Sequence, residues 1–343
     1  MNITNLNVCN NTGITSADLT TLTKLTNLDI GNTGITTLDL SQNTELTGLS
    51  LVQCSGLTTI DLSQNTKLQS LSAQSSGLTE LELNYVHPAL TSLEVGGCNS
   101  LKNLYLYQCT GLTSLNLVND VALKDLFVPF CTNLTSMDVS YCNALENVIL
   151  WDCTALTTLT GMKNTARMYI HDGLKPGIYQ VGQFIHVCKA KDFSGTDAVV
   201  YEVGGDGNGN TSSEQVKIIS VDESNLGWGE SVATGATSTT DGKANTDKIN
   251  SSSYPAAYWC TLHGTGWYLP SIDELKAIYS VKTTLNNVLS GITGATQLGT
   301  GDYWSSTEYD YLHAYVVQFY DGTYNAGCYF KSQTHAVRAV RAL

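Results

Sequence analysis

Basic charge is what this sequence has least of. Its 343 residues carry 17 Lys and Arg against 30 Asp and Glu, for a net charge of −13. The deficit runs throughout: residues 1–170 hold 6 basic and 13 acidic side chains, and residues 171–343 hold 11 and 17. Without a Lys/Arg cluster to neutralise phosphates, nucleic acid and anionic membrane surfaces are excluded as partners. Long apolar runs are missing too, so no direct membrane insertion is expected. Met1-Asn2-Ile3-Thr4 passes at once into repeat sequence without a secretory signal, which implies a removed leader or another route of export. Also absent are C-x-x-C pairs, H-E-x-x-H or H-x-H arrays, and any G-x-S-x-G. These absences argue against a metal centre, a redox dithiol and a serine hydrolase, and no cofactor is expected.

What is present is a period. The pattern apolar-x-x-apolar-x-apolar recurs about every eleven residues from Ile3 and Ile14 through Leu46, Leu68, Leu90 and Leu112 to Leu156. Leu101-x-x-Leu104-x-Leu106 and Leu123-x-x-Leu126-x-Val128 are typical units. Two apolar side chains two residues apart predict a short strand with both facing a core. Further along each unit stands Asn43, Asn65, Cys54, Cys98, Cys109, Cys131, Cys142 or Cys153. The pattern resembles the leucine-rich repeat, in the 22-residue form with two similar halves that is common in bacterial surface proteins. One coil buries about six apolar side chains, worth roughly 12 kcal/mol gross. Ordering its backbone costs more, so coils are stable only when stacked. The repeat thiols suit packing under a turn better than disulfides or zinc. Cys109, Cys131 and Cys153 are therefore expected to be free, buried and one rung, about 4.8 Å, apart.

Residues 22 apart occupy successive rungs of one sheet, which defines two outward columns: Tyr105, Phe127, Ile149 and Tyr107, Pro129, Trp151. Earlier coils carry Asp39, Asp61 and Glu82 in the first column. The apolar stripe of Tyr105, Tyr107, Phe127, Ile149 and Trp151 marks a possible interface, for the second domain or for a partner.

Periodicity stops after Met162, and Gly173, Pro176 and Gly177 form a junction, so the domains are read as 1–170 and 171–343. Strand-like runs follow at Ile178 to Val187, Val199 to Val203 and Val216 to Val221, and Glu230 to Ser253 reads as a long surface loop. A helix is expected from Pro255 to Leu262, begun by a first-turn proline. A second is capped by the box Ser271-Ile272-Asp273-Glu274, with Ile272, Leu275, Ile278 and Tyr279 on its apolar face. A third short turn holds Leu285, Val288 and Leu289. Asp321-Gly322 signals a hairpin, and Ala336 to Leu343 predicts a last strand. Asp206-Gly207-Asn208-Gly209-Asn210 opens like a calcium loop. Thr211 stands where glycine is required and Lys217 where the bidentate Glu belongs, so a Gly-rich turn is expected.

Four segments come in a fixed order: Tyr254-Pro255-Ala256-Ala257-Tyr258-Trp259-Cys260, Gly266-Trp267-Tyr268-Leu269-Pro270-Ser271, Tyr303-Trp304-Ser305-Ser306-Thr307-Glu308 and Val337-Arg338-Ala339-Val340-Arg341. The set resembles a bacterial C-type-lectin-like domain related to the formylglycine-generating enzyme fold. The resemblance implies a mainly β, α+β protein: a leucine-rich repeat solenoid followed by a C-type-lectin-like domain. Calcium-lectin sugar motifs such as Glu-Pro-Asn are missing, and Cys188, Cys260 and Cys328 form no clear reactive pair, so oxidase chemistry is disfavoured. Some such domains are variable proteins of diversity-generating retroelements, in which adenine-directed mutagenesis turns asparagine codons into Tyr, Asp, His and Ser.

That mix fills the end of the chain. Tyr309, Asp310, Tyr311, His313, Tyr315, Tyr320, Tyr324, Asn325, Tyr329, Ser332 and His335 are the candidate ligand-binding residues, expected on one exposed face. Trp304, Val317, Phe319, Val337 and Val340 are expected to form the frame beneath them. The leading reading is a non-enzymatic receptor or adhesin at the bacterial surface or on a phage particle, binding a protein or glycan on another cell or particle. The alternatives are an adhesive protein whose repeats do the binding and, last, an enzyme on the formylglycine-type fold.

Overall fold

The computed structural model describes residues 2–83, 87–163, 166–170, 183–188, 195–203, 216–325 and 329–343. The chain divides into two compact units, Met1–Ile178 and Tyr179–Leu343. The junction glycines and proline, the Asp206–Asn210 segment and Cys328 lie outside the described residues.

The first unit is a leucine-rich repeat solenoid. One parallel sheet is built from Asn5–Asn7, Asn27–Asp29, Gly48–Ser50, Ser70–Ser72, Ser92–Glu94, Ser114–Asn116, Ser136–Asp138 and Thr158–Thr160. Interleaved with it, Glu80–Leu83, Asn103–Leu106, Asp125–Phe127, Asn147–Ile149 and Arg167–Ile170 build a second. Register follows the period, with Leu49, Leu71 and Leu93 in one row and Leu104, Leu126 and Val148 in another. Each of these leucines and valines is buried, which is why the apolar pattern fixes the coil. The Arg167–Ile170 strand extends the stack beyond Met162 on a shorter 20-residue spacing, which hid it from the periodic pattern.

Each coil turns at a left-handed corner, taken by Asn32, Gln53, Ser75, Asn119 and Tyr141 on one side and by Gln108, Phe130 and Asp152 on the other. A buried side chain follows these corners, and at several of them it ties its coil to the one before. Cys54 Sγ donates to Ile30 O (3.1 Å), Cys98 to Ala73 O (3.0 Å), Cys142 to Leu117 O (3.2 Å) and Cys153 to Val128 O (2.8 Å). Asn43 and Asn65 do the same with their amides, Asn43 Nδ2 reaching Leu19 O and Leu22 O. Thiol and amide are interchangeable here because the position needs a small buried donor. Cys109, Cys131 and Cys153 are free and buried. Asp120 is the exception in its column. Its Oδ1 accepts from Cys98 N (2.8 Å), while Oδ2 has no partner, and burial pushes its carboxyl up to about 7.

The second unit is α+β. One antiparallel sheet runs Phe184–Cys188, Gly195–Val203, Val216–Ser220, Val340–Ala342 and Trp267–Tyr268. The other is ordered Ser224–Gly227, Thr334–Val337, Asp302–Glu308, Ala314–Gln318 and Tyr324–Asn325. The helices are α1 (Gly242–Lys248), α2 (Pro255–Thr261), α3 (Ile272–Ser280) and α4 (Lys282–Leu289). Ser271 and Glu274 form the expected capping box of α3. Glu274 also takes Tyr268 Oη (2.8 Å) and the buried Lys217 ammonium (3.1 Å). Leu275, Ile278, Leu285 and Leu289 pack on Val199, Ile219, Tyr303, Val317 and Phe319 to make the core.

Two expectations are corrected. Residues 230–253 are not all loop, because α1 lies within them. Its buried positions are Gly242, Asn245 and Thr246, and Asn245 bonds Ser238 and Ser306. A helix that buries polar side chains has no apolar stripe to betray it. The tail is also not one strand. It breaks at Arg338, whose buried guanidinium reaches Glu223 Oε2 (3.2 Å), Ser220 O (2.9 Å) and Thr296 O, so Thr334–Val337 and Val340–Ala342 join different sheets.

Candidate ligand-binding surface

The surface is carried by the hairpin of Asp302–Glu308 and Ala314–Gln318, extended by Tyr324–Asn325 and flanked by Thr334–Val337. Its frame is buried: Trp304, Val317, Phe319, Val337 and Val340 are all closed to solvent. None of the eleven candidate residues is buried. Tyr309, Tyr311, Tyr320 and Tyr324 are 53%, 58%, 62% and 56% exposed, Asn325 and Ser332 are exposed, and Asp310, His313, Tyr315, Tyr329 and His335 are half-buried.

They do not share one face. Strand side chains alternate, and the register decides the side. Tyr303 pairs with Val317 and Ala336, and all three belong to the core under α3 and α4. Tyr315 packs against that same core, and Tyr324 lies under the Lys276 ammonium of α3, 3.6 Å from the ring centre. Asp302 pairs with Gln318, and Trp304 pairs with Val316, which pairs in turn with Asn325, so these point the other way. His335, next to Ala336, is on their side and meets Trp304 edge to face at 4.7 Å.

Tyr329 lies across that second side. Its ring is 5.2 Å from His335 and 6.5 Å from Trp304, and its hydroxyl accepts from Gln318 Nε2 at 2.7 Å. Gln318 Oε1 in turn accepts from Tyr320 Oη (3.2 Å) and Thr323 Oγ1 (2.6 Å). His335 Nδ1 is 3.8 Å from Asp302 Oδ2. Burial pushes its imidazole below the ordinary value, and the Asp302 carboxylate only partly restores it. Burial first, then the Asp302 charge, raise the Tyr329 phenol.

The other end of the hairpin holds Tyr309, Asp310, Tyr311 and His313. Five residues of strand separate the two ends, about 14 Å at 3.4 Å per residue. Asp310 and His313 shape this loop more than they display it. Asp310 Oδ1 accepts from Leu312 N and His313 N, both at 2.8 Å, and meets His313 Nδ1 at 2.9 Å. These bonds, the His313 side chain foremost, hold the Asp310 carboxyl below its usual range. Tyr309 stands edge-on to Tyr315 at 5.5 Å.

Beneath this loop is a pair that sequence reading missed. Lys331 Nζ bonds Glu308 Oε1, Val232 O (2.7 Å) and Tyr311 O (3.3 Å), and lies 4.7 Å from the Trp228 ring centre. Glu308 also accepts from Thr234 N (2.8 Å) and Gly235 N (2.9 Å). Burial alone would raise the Glu308 carboxyl, but the ammonium and the two amides outweigh it and hold it low. Around this hub the exposed apolar side chains of Val232 and Phe330 join Tyr309 and Tyr311. Asp302, Gln318 and Thr323 were also missed, although period-two alternation from Trp304 and Val316 places the first two.

In the solenoid, Tyr105 and Phe127 stack at 4.6 Å, and Tyr107 meets Phe130 at 5.3 Å. Ile149 and Trp151 are buried and Tyr107 is exposed, so the stripe is not uniformly open. Tyr169 continues its first column, paired with Ile149.

Fold and surface together define a leucine-rich repeat solenoid joined to an α+β head with a tyrosine-bearing sheet. Residues 217–341 of that head match the family model of the Lcl C-terminal domain. Among solved structures, the chain is similar to a fimbrial protein from Bacteroides ovatus, at 17% identity over 54% of this chain and 51% of that one, TM-score 0.37. It is also similar to the functional domain of InlJ from Listeria monocytogenes, which includes a cysteine ladder: 19% identity, 64% and 59% coverage, TM-score 0.25. A leucine-rich repeat protein from Bacteroides ovatus matches at 13% identity, with 45% and 65% coverage and TM-score 0.15. The chain thus spans 51% to 65% of the length of these structures. No curated protein matches it.

Proposed function

We propose that this chain is a non-enzymatic binding protein whose C-terminal head, on a C-type-lectin-like fold, presents a variable tyrosine-rich surface to a ligand on another cell or particle. The observation that carries this reading is the separation of frame from display. The residues that hold the sheet are closed to solvent, whereas Tyr309, Tyr311, Tyr320 and Tyr324 are more than half exposed. A tyrosine ring offers a large, stiff contact area with little rotamer entropy to lose. Exposed positions of this kind accept substitution without disturbing the core, which is what a diversity-generating retroelement target requires. Display at the bacterial surface or on a phage particle fits the acidic surface, and among the described residues no helix is long and apolar enough to cross a membrane.

A catalytic reading finds little support. Asp222 and His263 pair at 2.9 Å, but the second ring nitrogen of His263 faces the carbonyls of Trp259 and Cys260, leaving neither nitrogen for a nucleophile. The buried Cys260 thiol is pushed well up by burial. Sequencing this locus in sibling strains tests the proposal. Substitutions concentrated at the exposed positions between Tyr309 and His335 are expected. Substitutions spread instead along the repeat sheets would overturn it in favour of binding by the solenoid.

A further inference from the structure

We infer that the partner of this head is a polypeptide that presents a lysine or arginine side chain to Asp302, beside the rings of Tyr320 and Tyr329. The inference rests on the binding reading above and names the chemistry of its ligand. Charge comes first. Between residues 302 and 337 the acidic groups are Asp302, Glu308, Asp310 and Asp321, and the sole Lys or Arg is Lys331, buried on Glu308. Among the described residues of the head, Lys217 pairs with Glu274, Arg338 with Glu223, Lys243 with Asp247 and Lys276 with Asp273. Asp302 is different. Its side chain is 24% exposed and the ion pair it makes is with His335, 3.8 Å away, whose imidazole burial holds below its ordinary value. Among the described residues the partly exposed carboxylate is paired with no Lys or Arg.

Ring chemistry points the same way. A cation over a tyrosine face is attracted by the ring's quadrupole, more strongly when desolvated. The molecule already makes this contact on the far side of the same sheet, where Lys276 Nζ sits 3.6 Å from the Tyr324 ring centre. Tyr320 and Tyr329 are both bonded to Gln318, the residue that pairs with Asp302, so two phenols stand beside the Asp302 carboxylate. Complementary charge of this kind sets partner choice and register. The opposite end of the hairpin supplies the argument for a polypeptide. Val232, Tyr309, Tyr311 and Phe330 expose apolar area there, which the aliphatic and aromatic side chains of a peptide would cover. About four residues of extended chain span the distance between the two ends.

The test is selection from a displayed library of random 12-residue peptides, with the full chain as bait at low and at 0.5 M salt. The enriched pool should carry Lys and Arg at two-fold or more over input, with Asp and Glu depleted, and enrichment should fall in high salt. An Asp302→Asn bait, which keeps the acceptor for Tyr329 and should melt like the parent, should return Lys and Arg in the pool to their input frequency. Val232→Ser together with Phe330→Ser should lose the apolar residues of the pool but keep its cations. A neutral or acidic pool, an unchanged pool with Asp302→Asn, or no enrichment over bare support each overturns the inference. A glycan-array signal that depends on Tyr320 and Tyr329 but not on Asp302 overturns it too, while leaving the binding reading intact.

Discussion

Lys331 Nζ sits 2.6 Å from Glu308 Oε1 with both side chains buried, although 23 residues of chain separate them. The pair ties the 232–235 segment to the tyrosine loop, the ammonium holding Val232 O and Tyr311 O and the carboxylate holding Thr234 N. Removing one partner strands a buried charge, which costs about 3–5 kcal/mol. Glu308→Gln and Lys331→Met should each lower the melting temperature of the head sharply, as read by calorimetry. Because the folded Glu308 carboxyl is held below its unfolded value, its contribution is present above the ordinary carboxylate range and is lost as pH falls through the folded pKa. A parent that loses stability below about pH 4, beside a Glu308→Gln variant that loses less, is the expected pair of curves.

The display tyrosines should behave in the opposite way. Replacing Tyr309, Tyr311 and Tyr320 together by Ser removes exposed rings and leaves the core untouched. Each change should shift stability by no more than about 0.5 kcal/mol, whereas each true contact anchor lost should weaken binding by about 2 kcal/mol. Tyr303→Ser is the control: its ring is in the core and its hydroxyl reaches Glu223, so it should destabilise strongly.

Asp120 makes the solenoid sensitive to pH in the other direction. Its folded pKa of about 7 lies above the unfolded value, so folding favours the protonated acid. Stability should be highest below the unfolded pKa and fall as pH rises from about 4 to 7, by roughly 2–4 kcal/mol in all. Asp120→Asn should flatten that slope, and Asp120→Cys should as well, by restoring the thiol of Cys98 and Cys142 to the column. Thermal unfolding at pH 4, 5.5 and 7 separates the three proteins.

The repeat thiols should be inert until the coils open. Burial pushes Cys142 and Cys153 up to about 12. In native buffer iodoacetamide should leave Cys54, Cys98, Cys142 and Cys153 unlabelled, and mass spectrometry should find no disulfide among Cys109, Cys131 and Cys153. Labelling of all of them on unfolding completes the check.

How far the sequence spoke depended on how local the signal was. The coils were legible because Leu49, Leu71 and Leu93 repeat one chemical demand at one spacing. The α3 cap and the Asp321-Gly322 hairpin were legible because each is written within a few residues. The partners in three ion pairs were not, since Lys217 and Glu274, Lys331 and Glu308, and Arg338 and Glu223 meet only after the head has closed. The same reason hid the division of the tyrosines. Their composition marked a surface, but only the strand register put Tyr324 on one side of the sheet and Tyr329 on the other.

The 22-residue register of the solenoid also makes its length quantised. Removing residues 110–131 would bring Cys109 against Thr132 in the phase that Thr110 now holds, so every ladder would close again one rung shorter. Each such step changes the stack by about 4.8 Å. An eleven-residue cut would instead swap the sheets and set the Tyr105 column among the polar side chains of Glu94, Asn116 and Asp138. Duplication or loss of whole coils is thus a change of reach that demands no new contact, whereas half a coil demands a new interior.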